Sequence, residues 1–207
     1  MFTLSNGRLT VEVVDPKKDD HLLGTRYCAA GYIHQVFDQS STALLSGPTY
    51  PESFNTFDGQ GIPDTFHRAP IRSNSRHDQI LIPGVGLCSP DHKELLEPAA
   101  WNVTTKRDWL SMSTEHEFEE YRVYVSRTVK LMNRTIRSVT RVSNLAKSFV
   151  PISWYPHPFF PHPADDELCR FSVPISLLPN NGFTLEEDQW ISRLGWPWTD
   201  GNVAALD

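Results

Sequence analysis

The chain has 207 residues, a formal net charge of −6 and 39% hydrophobic residues. This size and composition predict one folded domain, or at most two, with a sizeable core. The acidic balance argues against a broad nucleic-acid-binding surface, and the 16 prolines argue against long helices. No segment approaches the roughly 18 apolar residues of a membrane-spanning helix.

The cysteines indicate a reducing compartment. Cys28, Cys88 and Cys169 form an odd set without the spacing of a metal site, which fits reduced thiols better than a disulfide framework. Met1–Leu9 lacks a basic segment followed by an apolar core, so no signal peptide is expected. These features predict a cytoplasmic protein without a membrane partner.

Alternation of apolar and polar residues in the first half of the chain predicts β-strands. Phe2–Leu4 and Leu9–Val13 form an opening hairpin around the turn Ser5–Arg8. The long polar segment Ser46–Asp78 predicts a functional loop or an element that the pattern does not reveal. Ile80–Leu87 is typical of a buried strand that runs into a glycine-containing bend.

The second half continues this pattern, with room for one helical turn around Lys93–Leu96, ended by Pro98. Further strands are expected at Trp101–Val103, Trp109–Met112, Tyr121–Met132, Thr135–Val142, Phe149–Trp154 and Leu168–Ile175. Many short strands separated by Gly, Pro, Asn and Asp predict an all-β fold, an antiparallel β-sandwich or barrel with few or no helices.

The segment Trp154–Pro163 concentrates aromatic rings, prolines and two histidines. Proline fixes φ and favours extended geometry in the preceding residue, so this segment is expected to be stiff. His157 is therefore either a general acid beside apolar ring faces or a core or rim histidine bonded to a backbone carbonyl.

The segment Gly59–Arg68 is a second candidate. Its glycines allow tight turns, and Gln60, Asp64, His67 and Arg68 carry groups that bind sugar hydroxyls. The spacing does not match a phosphate-binding loop. The alternative interpretation is a glycine-rich surface turn.

Metal and nucleophile sites are not expected. His157 and His162 are five residues apart, which places them neatly on one face of neither a helix nor a strand. Asp165, Asp166 and Glu167 are the nearby carboxylates that would complete a metal site. A nucleophile elbow is missing from the sequence, and Cys88 has no marked basic neighbour.

Together these motifs resemble the aldose 1-epimerase, or galactose mutarotase-like, superfamily. His157–Phe160 is similar to its His-Pro-Tyr-Phe motif, and Asn144 to the asparagine that closes the preceding strand. Gly59–Pro63 resembles the Arg-Gly-Gly-Ile-Pro segment of the hexose-phosphate branch, and Pro83–Gly86 stands where the family has a His-Gly motif. The resemblance covers roughly Gly24–Phe183 and implies a β-supersandwich.

The resemblance implies an isomerase that interconverts sugar anomers by ring opening, without a cofactor. His157 is the expected acid that protonates the ring oxygen, and a glutamate takes the proton of the anomeric hydroxyl. The residues expected to bind the substrate are Gln60, Asp64, Arg68, Trp154 and Phe160.

The chain departs from the family pattern at three places. The second family histidine falls on Pro83, and the family arginine falls on Gly59, where Arg68 or Arg72 would substitute only if the loop folds back. The family glutamate lies in a C-terminal portion that this chain is expected to lack. The available carboxylates near the C-terminus are Glu186, Glu187 and Asp188.

The resemblance thus implies a single galactose mutarotase-like domain over residues 1–207 that acts on a small-molecule aldose. A phosphosugar is disfavoured by the acidic balance and the missing arginine. Two alternatives stay open: a carbohydrate-binding relative without the base, and an unrelated β-sandwich interaction module in which the His-Pro segment is structural.

Overall fold

The computed structural model describes residues 1–19, 23–47, 59–161, 167–170, 172 and 183–193. The chain divides into two compact units, Met1–Phe160 and Pro161–Asp207. Every regular element among the described residues is a β-strand, and the strand pairs are antiparallel. The all-β prediction is therefore confirmed, and the single domain over residues 1–207 stays a prediction.

Three antiparallel sheets form the described part of the first unit. Its strands are β1 (Phe2–Ser5), β2 (Thr10–Val13), β3 (Cys28–Phe37), β4 (Ile62–Thr65), β5 (Ile71–Arg72), β6 (Ile80–Ile82), β7 (Gly86–Cys88), β8 (Leu95–Pro98), β9 (Asn102–Lys106), β10 (Trp109–Phe118), β11 (Tyr121–Met132), β12 (Thr135–Asn144) and β13 (Tyr155–Pro156). The sheet orders are β1-β2-β3-β4-β13, β12-β11-β10-β9 and β5-β6-β7-β8.

Alternate residues of β10 and β11 build the core. On β11, Val123, Val125 and Val129 are fully buried, whereas their sequence neighbours are more exposed. This is the period-two pattern of a sheet with one covered face. These residues share one hydrophobic cluster with Val11 and Ile33 of the facing sheet.

Two predicted hairpins are confirmed. Phe2–Ser5 pairs with Thr10–Val13, and the Asn6 side chain closes the turn by accepting hydrogen bonds from two backbone N–H groups. Tyr121–Met132 pairs with Thr135–Asn144, and Asn133 in the connecting turn has a φ of 54°. Asparagine tolerates this left-handed backbone better than most residues.

Several sequence predictions are wrong or incomplete. The helical turn expected at Lys93–Leu96 is replaced by β8, which pairs with β7. Phe149–Trp154 is not a strand, and pairing begins only at Tyr155. The segment Ser46–Asp78 contains β4 and β5, while residues 48–58 lie outside the described part.

The described part of the second unit is one antiparallel sheet of β14 (Glu167–Arg170), β15 (Phe183–Leu185) and β16 (Trp190–Arg193), in the order β14-β16-β15. The strand predicted at Leu168–Ile175 is observed at Glu167–Arg170, and residues 171 and 173–175 are outside the described part. Within the described ranges of both units, no helix is long and apolar enough to span a membrane.

Candidate functional site

Pairing with β4 holds His157 in place. The His157 N–H donates to the Pro63 carbonyl at 2.8 Å, and the Phe159 N–H donates to the Gly61 carbonyl at 2.8 Å. Pro156 and Pro158 occupy the alternate positions, where an N–H would point away from β4. Proline lacks this donor and is tolerated on an edge strand, so the sequence leaves N–H groups only where β4 can accept them.

The same alternation separates the side chains of this segment into two faces. Tyr155, His157 and Phe159 are partly buried, whereas the residues between them and on either side are exposed. The His157 ring centroid lies 4.5 Å from that of Phe159 and 5.8 Å from that of Tyr155. Tyr27, just before β3, contributes a third ring at 6.4 Å. His157 is therefore surrounded by aromatic side chains.

Arginine side chains flank this aromatic cluster. The guanidinium carbon of Arg68 lies 5.1 Å from the Tyr155 ring centroid, and that of Arg26 lies 5.1 Å from the Tyr27 ring centroid. Both distances are in the range of cation–π contacts. Arg68 is exposed, so its charge faces solvent beside the cluster.

His67 lies next to these arginines. Its Nδ1 is 2.6 Å from the Thr65 hydroxyl oxygen, a hydrogen-bond distance. Burial lowers the pKa of His67, and the positive charges of Arg26, His92 and Arg68 lower it further. The neutral imidazole is therefore favoured.

Gln60 is enclosed by protein. Gln60 is 2% exposed. Its side-chain N–H donates to the His34 backbone carbonyl at 2.7 Å, and its backbone carbonyl accepts from the Tyr32 hydroxyl at 2.6 Å. Its side-chain oxygen has no hydrogen-bond partner among the described residues. These contacts connect Gln60 to β3, and its role as a substrate-binding residue stays a prediction.

Asp64 is occupied by an internal ion pair. Its Oδ2 lies 2.5 Å from Arg127 Nη1 and accepts a hydrogen bond from the Thr140 hydroxyl at 2.5 Å. Asp64 pairs with Pro156, so its side chain lies on the opposite face from that of His157, which pairs next to it. The described geometry does not bring Asp64 and His157 together.

Two of the remaining predicted substrate-binding residues lie on the face of this segment opposite His157. Trp154 is 48% exposed and Phe160 is 59% exposed, and both alternate with the residues of the His157 face. Of the predicted substrate-binding residues, Arg68 is the one that the described structure joins to the His157 cluster, through Tyr155. The sequence analysis did not identify Tyr27 or Arg26, because they precede a strand that it missed.

A different histidine, His116, lies at the glycine-containing bend Pro83–Gly86. The Gly84 N–H donates to His116 Nε2 at 2.9 Å, so this nitrogen is the acceptor and the proton of the neutral ring is on Nδ1. Burial lowers the pKa of His116 to about 4. His116 lines a hollow of about 280 Å³ with Glu97, Glu115 and Arg76 among its neighbours.

Metal-binding geometry is not observed in the described ranges, where no three His, Cys, Asp or Glu side chains are grouped to hold an ion. His162, Asp165 and Asp166 lie outside the described part. Glu186, Glu187 and Asp188 are exposed around the β15–β16 connection of the second unit.

Comparison with known proteins gives one informative result. No protein-family model matches the chain, and no curated protein matches it. Among solved structures, the chain is similar to the crystal structure of a "Putative aldose 1-epimerase" from Escherichia coli K12, with a TM-score of 0.50 and 20% sequence identity. The match covers 92% of this chain and 59% of the other. The fold is thus an all-β sandwich like that of the E. coli protein.

Proposed function

We propose that this protein binds an aldose at the His157 cluster and accelerates exchange between its anomers. The observation that carries the proposal is the position of His157: an imidazole held by a backbone hydrogen bond to Pro63 among the rings of Tyr27, Tyr155 and Phe159. Aromatic faces suit the C–H surface of a sugar, and polar groups at their rim orient it. The similarity in fold to the E. coli protein supports this proposal.

In the proposed reaction, His157 protonates the ring oxygen while a carboxylate takes the proton of the anomeric hydroxyl. The ring opens, the C1–C2 bond rotates, and closure on the other face gives the second anomer. A positioned acid and base each contribute about 10²–10⁴-fold to such a step. Asp64 is unsuitable as the base because it is paired with Arg127 on the opposite face.

The test is the rate of anomer exchange of glucose and galactose, followed by polarimetry or one-dimensional NMR. We expect the wild-type chain to exceed the buffer rate, and His157→Asn to abolish the excess. His77→Asn, which replaces an exposed histidine that is not part of the proposed site, is the matched control and should retain full activity. Circular dichroism of each variant verifies folding. An unchanged excess rate in His157→Asn would refute the assigned acid.

A second candidate function is carbohydrate binding without catalysis. The engagement of the Asp64 carboxylate with Arg127 and Thr140 favours it, because the acidic residue of β4 is then not available as the base. Saturable aldose binding combined with exchange at the buffer rate would support this candidate over the isomerase. Loss of binding in His157→Asn, with retention in His77→Asn, would place the sugar at the same cluster.

A further inference from the structure

The outer strand β12 has one hydrogen-bonding edge without a partner strand among the described residues, because the sheet order is β12-β11-β10-β9. The Leu131 N–H of β11 donates to the Asp108 carbonyl, away from β12, and the Leu145 N–H donates to the Arg122 carbonyl of β11. Hydrogen-bonded and non-bonded pairs alternate in an antiparallel ladder. The residues that direct their N–H and C=O groups to the free edge are therefore Ile136, Ser138, Thr140 and Val142.

This edge is long and regular. β12 has ten residues, whereas the other edge strands of the described sheets have two to five. All ten residues pair with β11 in continuous register, and none of them is proline or glycine. Proteins usually shorten an edge strand that must stay unpaired, or interrupt it with a bulge or a proline. The edge of β12 is therefore suited to accept a further strand.

The side chains on the two faces of β12 define the chemistry of that strand. Ile136 and Val142 are partly buried against the core, so apolar side chains of an added strand would extend the covered face. On the other face, Arg137, Val139 and Arg141 are exposed. Neither arginine forms an ion pair with a described residue. Acidic side chains opposite the two arginines would complement this face.

The same two arginines disfavour a second copy of this chain as the occupant. If two copies of β12 paired antiparallel around Val139, Arg137 of each copy would lie opposite Arg141 of the other. Like charges that are directly opposite across a sheet are destabilising. The charges therefore oppose self-association through this edge, whereas they favour an acidic strand.

We propose that the edge of β12 binds an extended acidic segment of a partner protein, which adds a fifth strand to the sheet. Hydrogen bonds between the main chains supply affinity in this mode of recognition, and alternate side chains supply specificity. The segment carries acidic residues four positions apart, opposite Arg137 and Arg141, and apolar residues on its other face. This inference goes beyond the proposed function and does not depend on it, because His157 is bonded to β4 of a different sheet.

The test measures binding of the fluorescein-labelled peptide Thr-Val-Glu-Val-Thr-Val-Glu-Val-Thr to the full chain by fluorescence anisotropy. We expect this peptide to bind at least about ten-fold more tightly than the same peptide with Lys in place of Glu, a difference of about 1.4 kcal/mol. N-methylation of its two central valines removes main-chain donors and should abolish binding. Equal affinity for the two charged forms, binding that survives N-methylation, or no binding of the acidic peptide would overturn the proposal.

Variants of the chain locate the peptide on this edge. Ser138→Pro removes an N–H from the middle of the free edge, where proline is tolerated, and should weaken binding at least about ten-fold. The double variant Arg137→Glu, Arg141→Glu should reverse the preference in favour of the lysine peptide. The matched control is Lys106→Glu, Arg107→Glu, which makes the same change of charge at exposed positions of β9 and its turn and should leave the affinity unchanged. Circular dichroism verifies that each variant is folded.

Two further measurements separate this proposal from the alternatives. His157→Asn should bind the peptide as the wild type does, so that a failure of anomer exchange leaves the edge site intact. Sedimentation velocity of the chain alone should show no dimer that depends on β12. Concentration-dependent dimerisation that Ser138→Pro removes would identify a second copy as the occupant and would overturn the proposal.

Discussion

Arg127 Nη1 lies 2.5 Å from Asp64 Oδ2, and both side chains are almost fully enclosed by protein. Arg127 belongs to β11 in one sheet and Asp64 to β4 in the facing one. The guanidinium also donates to the carbonyls of Ala30 and Gly31. A buried charged pair with these additional hydrogen bonds therefore connects the two sheets.

Arg127→Met should destabilise the fold strongly, because it leaves the Asp64 carboxylate buried without its counter-charge. Breaking one partner of a buried ion pair costs about 3–5 kcal/mol. The measurement is urea unfolding followed by circular dichroism, with the free energy of unfolding compared between variant and wild type.

The double variant Arg127→Met, Asp64→Leu should recover most of this loss, because no buried charge remains. Arg137→Met changes an exposed arginine of β12 and should alter the free energy by no more than about 0.5 kcal/mol. A double variant as unstable as Arg127→Met alone would show that the loss comes from packing rather than from the unpaired carboxylate.

Gly61→Ala should be much more destabilising than Gly7→Ala. Both glycines have positive φ, 64° and 80°, so an alanine costs about 1–2 kcal/mol at either position for backbone reasons alone. A Cβ at Gly61 would also lie 2.2 Å from the Ile33 carbonyl oxygen, whereas a Cβ at Gly7 meets nothing within 4 Å.

We expect the overlap at Gly61 to add about 1–3 kcal/mol to the loss. Thermal and urea unfolding of the two variants measure this difference directly. Equal losses would mean that β3 and the Gly61 turn separate without cost, contrary to the close approach described above.

The free energy of unfolding should decrease as the pH falls from the unfolded-state pKa of His116 to its folded-state pKa. Burial lowers the pKa of this imidazole from 6.5 to about 4 in the folded chain, so between these values the unfolded chain binds a proton that the folded chain does not. The stabilisation is complete above about pH 6.5 and is lost progressively towards pH 4, by about 3 kcal/mol for this group.

His116→Gln removes the titrating group, and the glutamine oxygen can still accept from the Gly84 N–H. The pH dependence of unfolding should therefore be shallower in His116→Gln than in the wild type between pH 6.5 and 4. His77→Gln, at an exposed position, should follow the wild-type curve. If the free energy of unfolding varied with pH equally in His116→Gln and the wild type, His116 would be excluded as the source of the pH dependence.

The two core thiols should resist alkylation in the folded chain. Burial raises the pKa of Cys28 and of Cys88 to about 12, and the thiolate is the reactive form. At pH 8, iodoacetamide should modify the half-buried Cys169 first, and the core thiols only after denaturant is added. Mass spectrometry of proteolytic peptides measures the labelling, and rapid modification of Cys28 without denaturant would contradict the closed core.

Local alternation explains which strands were predictable. The β11–β12 hairpin is visible in the sequence because one face is covered and Asn133 suits the turn. β3 was missed because almost all of its residues are buried, so its apolar residues do not alternate. Phe149–Trp154 looks like a strand by composition but has no strand partner among the described residues.

The candidate site was only partly predictable, because its contacts join distant segments. The His-Pro motif identified His157, but no local pattern indicates that Tyr27 lies 6.4 Å away. The sequence did contain an indication of the ion pair. Arg127 is two residues from both Val125 and Val129, so the alternation of β11 places it on the same inward face. A charged residue at an inward position requires a partner, although sequence alone does not identify Asp64.

The alternation between Trp154 and Phe160 also limits how this part of the chain can change in length. Deleting one residue between His157 and Phe160 would carry Phe160 onto the imidazole side and would shift the N–H groups that bond β4. Deleting or inserting two residues would preserve both the side of each ring and the pattern of donors. Along this edge, gains and losses of residues are therefore tolerated only in pairs.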